Sequence, residues 1–161
     1  MLVPAQQKKP AMRDETQIAI SDESQVAWCA HVMASTDPWL AYKFSEEKCS
    51  VILRWAGSTL FIASVNEPVG FVLLHPRGFL GCPYIAVAAV VPSLRSRGIG
   101  AHLLQFAESH MAGSRHVYLC VSSFNSRALS FYERHGYARL GQLPDFITDG
   151  FSEILMGRRL S

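Results

Sequence analysis

The sequence lacks the features that mark membrane, secreted and metal-binding proteins. No apolar run in its 161 residues approaches the ~18 residues that a membrane-spanning helix needs. The first residues, MLVPAQQKKPAMRD, contain no apolar segment of the kind found in secretory signals. The cysteines form no C-x-x-C pair and have no histidine nearby at ligand spacing; they are Cys29, Cys49, Cys82 and Cys120. We therefore expect reduced thiols, no bound metal, no membrane partner and a cytoplasmic location.

Charge is also scarce. Charged residues make up 17% of the chain and the formal net charge is +2, so a nucleic-acid partner is not expected. Hydrophobic residues make up 49%, which is typical of a compact domain with one core. Residues 1–13 are polar, carry two prolines and show no periodicity, which predicts a flexible tail. Residues 14–161 are then the folded domain.

Hydrophobic periodicity predicts one α/β domain. Apolar runs predict strands over residues 16–20, 59–65, 69–75, 84–91, 116–121, 137–143 and 153–160. Apolar steps of three and four predict helices over 24–35, from 45 to before 57, and directly before Gly113 and Gly136. This βααββ–βαβαββ order predicts a mixed central sheet of about six or seven strands with about four helices. The continuous run at 84–91 predicts a strand buried on both faces.

The turn at residues 92–101, PSLRSRGIGA, joins that buried strand to an amphipathic helix. N–H groups at a helix start lack partners within the helix and attract anions. Gly98 and Gly100 would let an anion approach the backbone, and Arg95 and Arg97 add charge at the rim. The pattern predicts a pyrophosphate site, although a plain chain reversal would use similar residues. It fits neither a Rossmann fingerprint, because Leu103 stands at the third small position, nor a Walker A loop.

Two motifs together resemble a known family. RSRGIG at residues 95–100 resembles the R/Q-x-x-G-x-G/A element of the GNAT superfamily, the GCN5-related N-acetyltransferases. NSRALSFYERHGY at residues 125–137 resembles that superfamily's second cofactor element. They occur in the family's order, separated by one helix and one strand. The chain is therefore identified as a GNAT member, nearest in motif style to bacterial ribosomal-protein-alanine acetyltransferases.

The resemblance implies an acetyl-CoA site in a cleft where two neighbouring parallel strands splay apart. Backbone groups of Val90 and Val91 would contact the pantetheine and the acetyl carbonyl. Asn125 would anchor the pantetheine arm, and Phe131 would line the wall. The pyrophosphate would lie on the turn formed by Arg95, Ser96, Arg97, Gly98, Ile99, Gly100 and Ala101.

The implied reaction is direct attack of a primary amine on the thioester in a ternary complex. A typical alkyl amine has a pKa of about 10, so a proton must first be removed. A backbone N–H near Val90 or Val91 would stabilise the oxyanion. By resemblance, Tyr132 points at the cofactor sulfur and would protonate the leaving thiolate. The alternative for Tyr132 is a packed helix residue with its hydroxyl at the edge.

The general base is not evident in the sequence. The strand over 84–91 contains no carboxylate, and Cys120 stands where ribosomal-protein-alanine acetyltransferases carry a glutamate. Cys120 is expected to be a core residue, because no positive neighbour that would activate it is evident. A water-mediated route through His75, Asp145 or Glu153 is left open.

The acceptor pocket is expected beside the segment between the first two helices. Trp39 and Tyr42 there, together with His75, are candidate substrate-binding residues, because aromatic rings bind cationic amines. The alternative is that Trp39 is a hydrophobic plug. Small-molecule and peptide amines both remain open as acceptors, and a homodimer is one candidate assembly. Two alternative functions are a non-catalytic acyl-CoA sensor and a modifier of aminoacyl-tRNA amines.

Overall fold

The computed structural model describes residue 12 and residues 15–160 of the chain. Except for Met12, the predicted tail at 1–13 lies outside the described residues. Seven strands form one mixed sheet in the order β1-β2-β3-β4-β5-β7-β6, with four α-helices among the described residues. The elements are β1 (Gln17–Ile20), α1 (Glu23–Ala34), α2 (Glu46–Leu53), β2 (Thr59–Val65), β3 (Glu67–Phe79), β4 (Cys82–Val90), α3 (Ile99–His110), β5 (His116–Ser122), α4 (Ser126–Arg134), β6 (Ala138–Pro144) and β7 (Ser152–Arg159). The predicted α/β architecture and element order are confirmed.

Side-chain caps define where three of the helices begin. The Asp22 carboxylate accepts from Gln25 N at the start of α1, and the Gln25 side chain accepts from Asp22 N in return. Ser45 caps α2, and Asn125 caps α4 by accepting from Ala128 N at 3.2 Å. Each cap satisfies an N–H group that the first helical turn would otherwise leave unpaired.

The hairpin between β3 and β4 is longer than the sequence predicts. The predicted strand ends at residue 75. A loop is expected over residues 76–83, because this segment is rich in proline and glycine. In the structure β3 runs to Phe79, which pairs with Cys82 across a turn at Leu80 and Gly81. Leu80 and Gly81 both have positive φ, 49° and 78°, as in a type I′ hairpin turn. Leucine at such a position gives no sequence signal for this turn.

The helices cover the two faces of the sheet and enclose two hydrophobic clusters. One cluster lies beneath α3 and α4 and includes Leu103 and Leu119. The other lies beneath α1 and α2 and includes Met33 and Phe71, which are both fully buried. No helix among residues 12 and 15–160 combines the length and apolarity needed to cross a bilayer.

Strands β4 and β5 separate soon after they meet. They are the only parallel neighbours in the described sheet, and they pair only at Tyr84–Tyr118 and Ile85–Leu119. The β3–β4 register shifts between Leu73 and Leu74, which leaves Ala86 as an extra residue in β4. Such a bulge bends a strand, and this one comes directly after the last parallel pair. The two strands therefore diverge into a V-shaped opening.

Because of this opening, β4 is less buried than the sequence predicts. The strand was expected to be buried on both faces, but Ala88 is exposed. It is exposed because it follows the bulge and faces the gap beside β5. Burial of that part of the strand would require an occupant of the opening.

Candidate active site

The opening between β4 and β5 leads into a cleft of about 620 Å³. This volume lies in the range of small-molecule and cofactor sites. Ala88 and Val90 line the cleft from β4, and Phe131 and Tyr132 line it from α4. The head of α3 and the segment between α1 and α2 complete the walls. Of these elements, the head of α3 and α4 carry the two sequence motifs.

The head of α3 presents unpaired backbone donors to the cleft. Gly98 precedes the helix with φ 86°, a left-handed conformation that favours glycine, and it has no side chain to cap the helix. The first N–H groups of α3 therefore have no partner within the helix. A Cβ added at Gly100 would lie 3.6 Å from the Phe131 ring, in ordinary van der Waals contact, so Gly100 lies directly beside this ring.

Three arginines line the cleft. Arg95 Nε donates to Val90 O at 3.1 Å, and Arg127 Nη2 donates to Ser96 Oγ at 3.2 Å. Burial, followed by the neighbouring charge of Arg127, lowers the pKa of Arg95. Arg134 also lines the cleft, and the sequence reasoning missed it. Helical spacing could have pointed to Arg134, because it lies seven residues after Arg127 and residues seven apart share one face of a helix.

Arg97 lies apart from this group. Its Nη1 contacts the Met12 sulfur at 3.2 Å, and its carbonyl accepts from Met12 N at 3.1 Å. Arg97 is not among the residues that line the cleft. Ile99, which is also part of the predicted turn, is buried in the core and offers only its backbone.

The backbone of β4 distinguishes Val90 from Val91. Val91 N donates to Val69 O at 3.0 Å, and Val91 O accepts from Leu94 N at 3.0 Å. Both backbone groups of Val91 are thus engaged, which corrects the expectation that Val91 offers them to a ligand. Because N–H directions alternate along an extended strand, the N–H groups of Ala88 and Val90 point away from β3 and toward the gap.

Tyr132 is half-buried in the cleft wall. Its ring packs against Phe131 and Tyr137, with centroids 5.2 and 5.5 Å away. Burial raises the pKa of Tyr132 to about 12, so its hydroxyl stays protonated at neutral pH. Asn125 also lines the cleft, at the start of the same helix.

Only one of the three candidate acceptor-binding residues lines the cleft. Trp39 does so, from the segment between α1 and α2. Tyr42 is 8% exposed, and its hydroxyl contacts Ser122 and Glu153. His75 Nδ1 accepts from Arg77 N, its Nε2 donates to Ala56 O, and its ring lies 4.4 Å from that of Trp55. The structure therefore places His75 outside the cleft lining.

Cys120 and Tyr84 interact between the two splayed strands. Burial raises the pKa of the Cys120 thiol, although a hydrogen bond from Tyr84 works in the opposite direction. The pKa of Tyr84 is raised as well, first by burial and then by Cys120, Glu153 and Tyr132. A thiol with a raised pKa is a poor nucleophile, so this geometry favours Cys120 as a packed residue.

Comparison with known proteins agrees with the fold. The family described as "Acetyltransferase (GNAT) family" matches residues 21–137. N-alpha-acetyltransferase 30 of Schizosaccharomyces pombe is 34% identical over 104 residues, covering 59% of this chain and 69% of that protein. The ribosomal-protein-S18-alanine N-acetyltransferase of Escherichia coli has a similar fold, with a TM-score of 0.72 at 17% identity over 91% of this chain and 94% of that chain. An aminoglycoside 6'-N-acetyltransferase complexed with coenzyme A superposes with a TM-score of 0.71 at 17% identity, over 90% of this chain and 97% of that chain.

These findings establish the enzyme class and the family of the protein. The splayed sheet, its cleft and the named relative identify the protein as an acyltransferase. The chain belongs to the acetyltransferase (GNAT) family. The sequence resemblance to this superfamily is confirmed, and its fold is one that holds coenzyme A in a solved relative.

Proposed function

We propose that this protein transfers the acetyl group of acetyl-CoA to a primary amine by direct attack in a ternary complex. One observation carries the proposal: a single cleft contains both the anion-attracting head of α3 and the protonated phenol of Tyr132. The first feature suits the phosphates of coenzyme A, and the second suits its leaving thiolate. The relatives named as N-acetyltransferases support the same reaction class.

The cofactor would bind along the cleft from its charged end to its apolar end. The amides of Gly98 through Ala101 would hold the pyrophosphate, with Ser96 and the arginines at positions 95, 127 and 134 around them. The pantetheine arm would follow β4, where Val90 N–H points into the gap, and Asn125 would anchor it from α4. Phe131 would form the apolar wall beside it. Arg97 faces Met12, so its contribution would be through backbone alone.

The chemistry would use donors fixed before the reaction begins. The N–H of Val90, or that of Ala88 beside it, would stabilise the oxyanion of the tetrahedral intermediate. Tyr132 would donate its hydrogen bond, and then its proton, to the leaving sulfur. The burial that raises the pKa of Tyr132 would also raise the pKa of the leaving thiol beside it. Burial would therefore shift the pKa of the proton donor and that of the proton acceptor in the same direction.

The acceptor amine would enter beside Trp39. The name of the relative, N-alpha-acetyltransferase 30, makes a peptide N-terminus the first acceptor to test, with small-molecule amines as the comparison. Tyr42 would contribute through its hydroxyl rather than through an exposed ring, because it is almost fully buried. The geometry of His75 gives no support for a direct contact with the acceptor.

The test is to measure acetyl-CoA binding by calorimetry and then free CoA release with a panel of amines. The panel contains a peptide with a free N-terminus, a lysine peptide with a blocked N-terminus, spermidine and an aminoglycoside. Binding with CoA release for at least one amine is the expected result. Binding with no release for any amine would favour the acyl-CoA sensor instead, and absence of binding would remove the cofactor assignment.

A further inference from the structure

A buried carboxylate lies beside the cleft with no cation near it. Glu153, at the start of β7, is 3% exposed. No Lys, Arg or His within residues 15–160 forms an ion pair with it. Its partners are two hydroxyls: Tyr42 donates to it in a short hydrogen bond, and Ser122 Oγ donates at 2.9 Å. Burial of an acidic side chain beside neutral donors alone, without a cation, is unfavourable for folding, which suggests that the group has a function.

The position of this cluster connects it to both walls of the cleft. Ser122 pairs with Glu153 across β5 and β7, and its carbonyl accepts from the N–H of Asn125, which lines the cleft, at 2.8 Å. Tyr42 follows Trp39, another lining residue, by three positions. The hydroxyls of Tyr42 and Ser122 lie 2.5 Å apart. The cluster therefore lies between the acceptor segment and the head of α4.

Aromatic side chains enclose the ring of Tyr42. Phe44, Phe124 and Phe151 surround its ring at centroid distances of 5.6, 5.8 and 5.4 Å. A hydrogen-bonded pair in such an apolar enclosure has strong electrostatic coupling. Burial and the bond to Glu153 raise the pKa of Tyr42, so this phenol stays neutral and can relay a proton without holding it as an anion.

The two other candidate bases do not have this placement. His75 is turned toward Ala56, and Asp145 is exposed and accepts from Gly150 N at 2.7 Å. Titratable groups from three elements lie near Glu153. They are Tyr42 from the α1–α2 segment, Cys120 from β5 and Tyr84 from β4, while β6 places the uncharged Leu143 opposite it.

We propose that Glu153 is the final acceptor of the proton that the attacking amine must lose, and that the Tyr42 hydroxyl passes it on. This inference rests on the proposed N-acetyl transfer. A water molecule in the cleft would carry the proton to the buried phenol: as an N–H bond of the acceptor ammonium breaks, its proton bonds to that water. A proton of the water then bonds to the Tyr42 oxygen while the original Tyr42 proton moves to the Glu153 carboxylate. The nitrogen keeps the electron pair and attacks the acetyl carbonyl. Ammonium, phenol and carboxylate thus become amine, phenol and carboxylic acid, and Ser122 holds the carboxylate in position.

The experiment compares the pH dependence of kcat/KM for the wild type, Glu153→Gln and Tyr42→Phe. The acceptor is the best amine of the panel, used beside an aminooxy analogue whose nitrogen is already neutral at neutral pH. With a lysine-type amine of pKa about 10.4, only a small neutral fraction is present at pH 7. Both variants should lose about 10²-fold or more in kcat/KM for that amine at pH 7. Their rate should then rise about tenfold per pH unit toward the pKa of the amine.

The aminooxy acceptor separates proton transfer from a structural effect. Its kcat/KM should change by less than about threefold in both variants, because no proton has to be removed before attack. Glu108→Gln is the matched control, since Glu108 also accepts from a tyrosine, Tyr137, and lies on α3 outside the cleft lining. It should leave the pH profile unchanged. Melting temperatures verify that each variant is folded. If Glu153→Gln does not fold, Tyr42→Phe still tests the relay, because it keeps the aromatic packing.

Two results would overturn the inference. One is an equal loss for both acceptors, and the other is a variant pH profile that matches the wild type. If the wild type acetylates an amine and either of these results is found, the proposed function stands and only the proton relay is wrong. A wild-type protein that acetylates none of the amines would end both proposals.

Discussion

At the scale of single residues, the proposed chemistry would depend on a neutral phenol beside a charged cofactor. Tyr132 packs against Phe131 and Tyr137, and its burial there raises its pKa to about 12. Tyr137, by contrast, directs its hydroxyl to Glu108 at 3.1 Å and does not line the cleft. The two neighbouring tyrosines therefore provide a test residue and a matched control.

Tyr132→Phe should lower kcat while acetyl-CoA still binds. Loss of a general acid costs about 10²-fold or more in rate, whereas the ring and its packing are retained. Calorimetry should give a Kd for acetyl-CoA within about threefold of the wild type, since the lost hydroxyl acts on the leaving group. Tyr137→Phe should keep its turnover. Unchanged turnover in Tyr132→Phe would remove this residue from the mechanism.

The pKa of Tyr132 also predicts a pH dependence of stability. The folded-state pKa is raised from 10.0 to about 12, so the folded chain binds a proton that the unfolded chain releases above pH 10. Its contribution is fully present below pH 10 and is lost between pH 10 and 12; two pKa units correspond to at most about 3 kcal/mol. Denaturant unfolding in this window should show a steeper loss for the wild type than for Tyr132→Phe. Parallel curves for the two proteins would contradict the assignment.

At the scale of elements, the head of α3 combines backbone donors with side-chain charge on one side only. Arg95 faces the cleft and bonds Val90 O, whereas Arg97, two residues later, faces Met12. The sequence motif alone does not distinguish these two arginines. The left-handed Ser96 between them, with φ 63°, is the local feature that turns the chain.

Arg95→Ala should weaken acetyl-CoA binding, and Arg97→Ala should not. A hydrogen bond from a charged group contributes about 1.5–3 kcal/mol, which corresponds to a 10- to 100-fold change in Kd. Arg97→Ala should change Kd by less than about threefold, because its side chain lies outside the cleft. Calorimetric titration of both variants measures the difference. Equal weakening by the two substitutions would show that the turn contacts the cofactor in another way.

Local signals were sufficient to predict most elements and to propose the cofactor-binding residues. Caps at Ser45 and Asn125, and the glycines around α3, act within a few residues of themselves, so they are visible in the sequence. The β3–β4 hairpin was missed because Leu80 occupies a turn position that usually takes glycine or asparagine. The roles of Val90 and Val91 also depend on strand pairing, which the sequence does not show.

At the scale of the whole molecule, the cleft results from pairings between distant segments. The bulge at Ala86 separates β4 from β5, and Glu153 meets Tyr42 only because β7 inserts between β5 and β6. Contacts between residues 111 positions apart leave no periodic signal in the chain. For this reason the sequence motifs were enough to propose cofactor-binding residues, whereas they left His75, Asp145 and Glu153 open as the base. The contact between Glu153 and Tyr42 required the structure.

Cofactor binding in this cleft is best tested by an ¹⁵N–¹H NMR titration of the protein with acetyl-CoA. The amides of Ile99, Gly100 and Ala101 should shift downfield as they bond the pyrophosphate, together with that of Val90 at the edge of the gap. Amides at the far end of α3, near His110, should move little. Saturable binding with these four amides unmoved, or no shift at any concentration of acetyl-CoA, would contradict the claim that this cleft holds the cofactor.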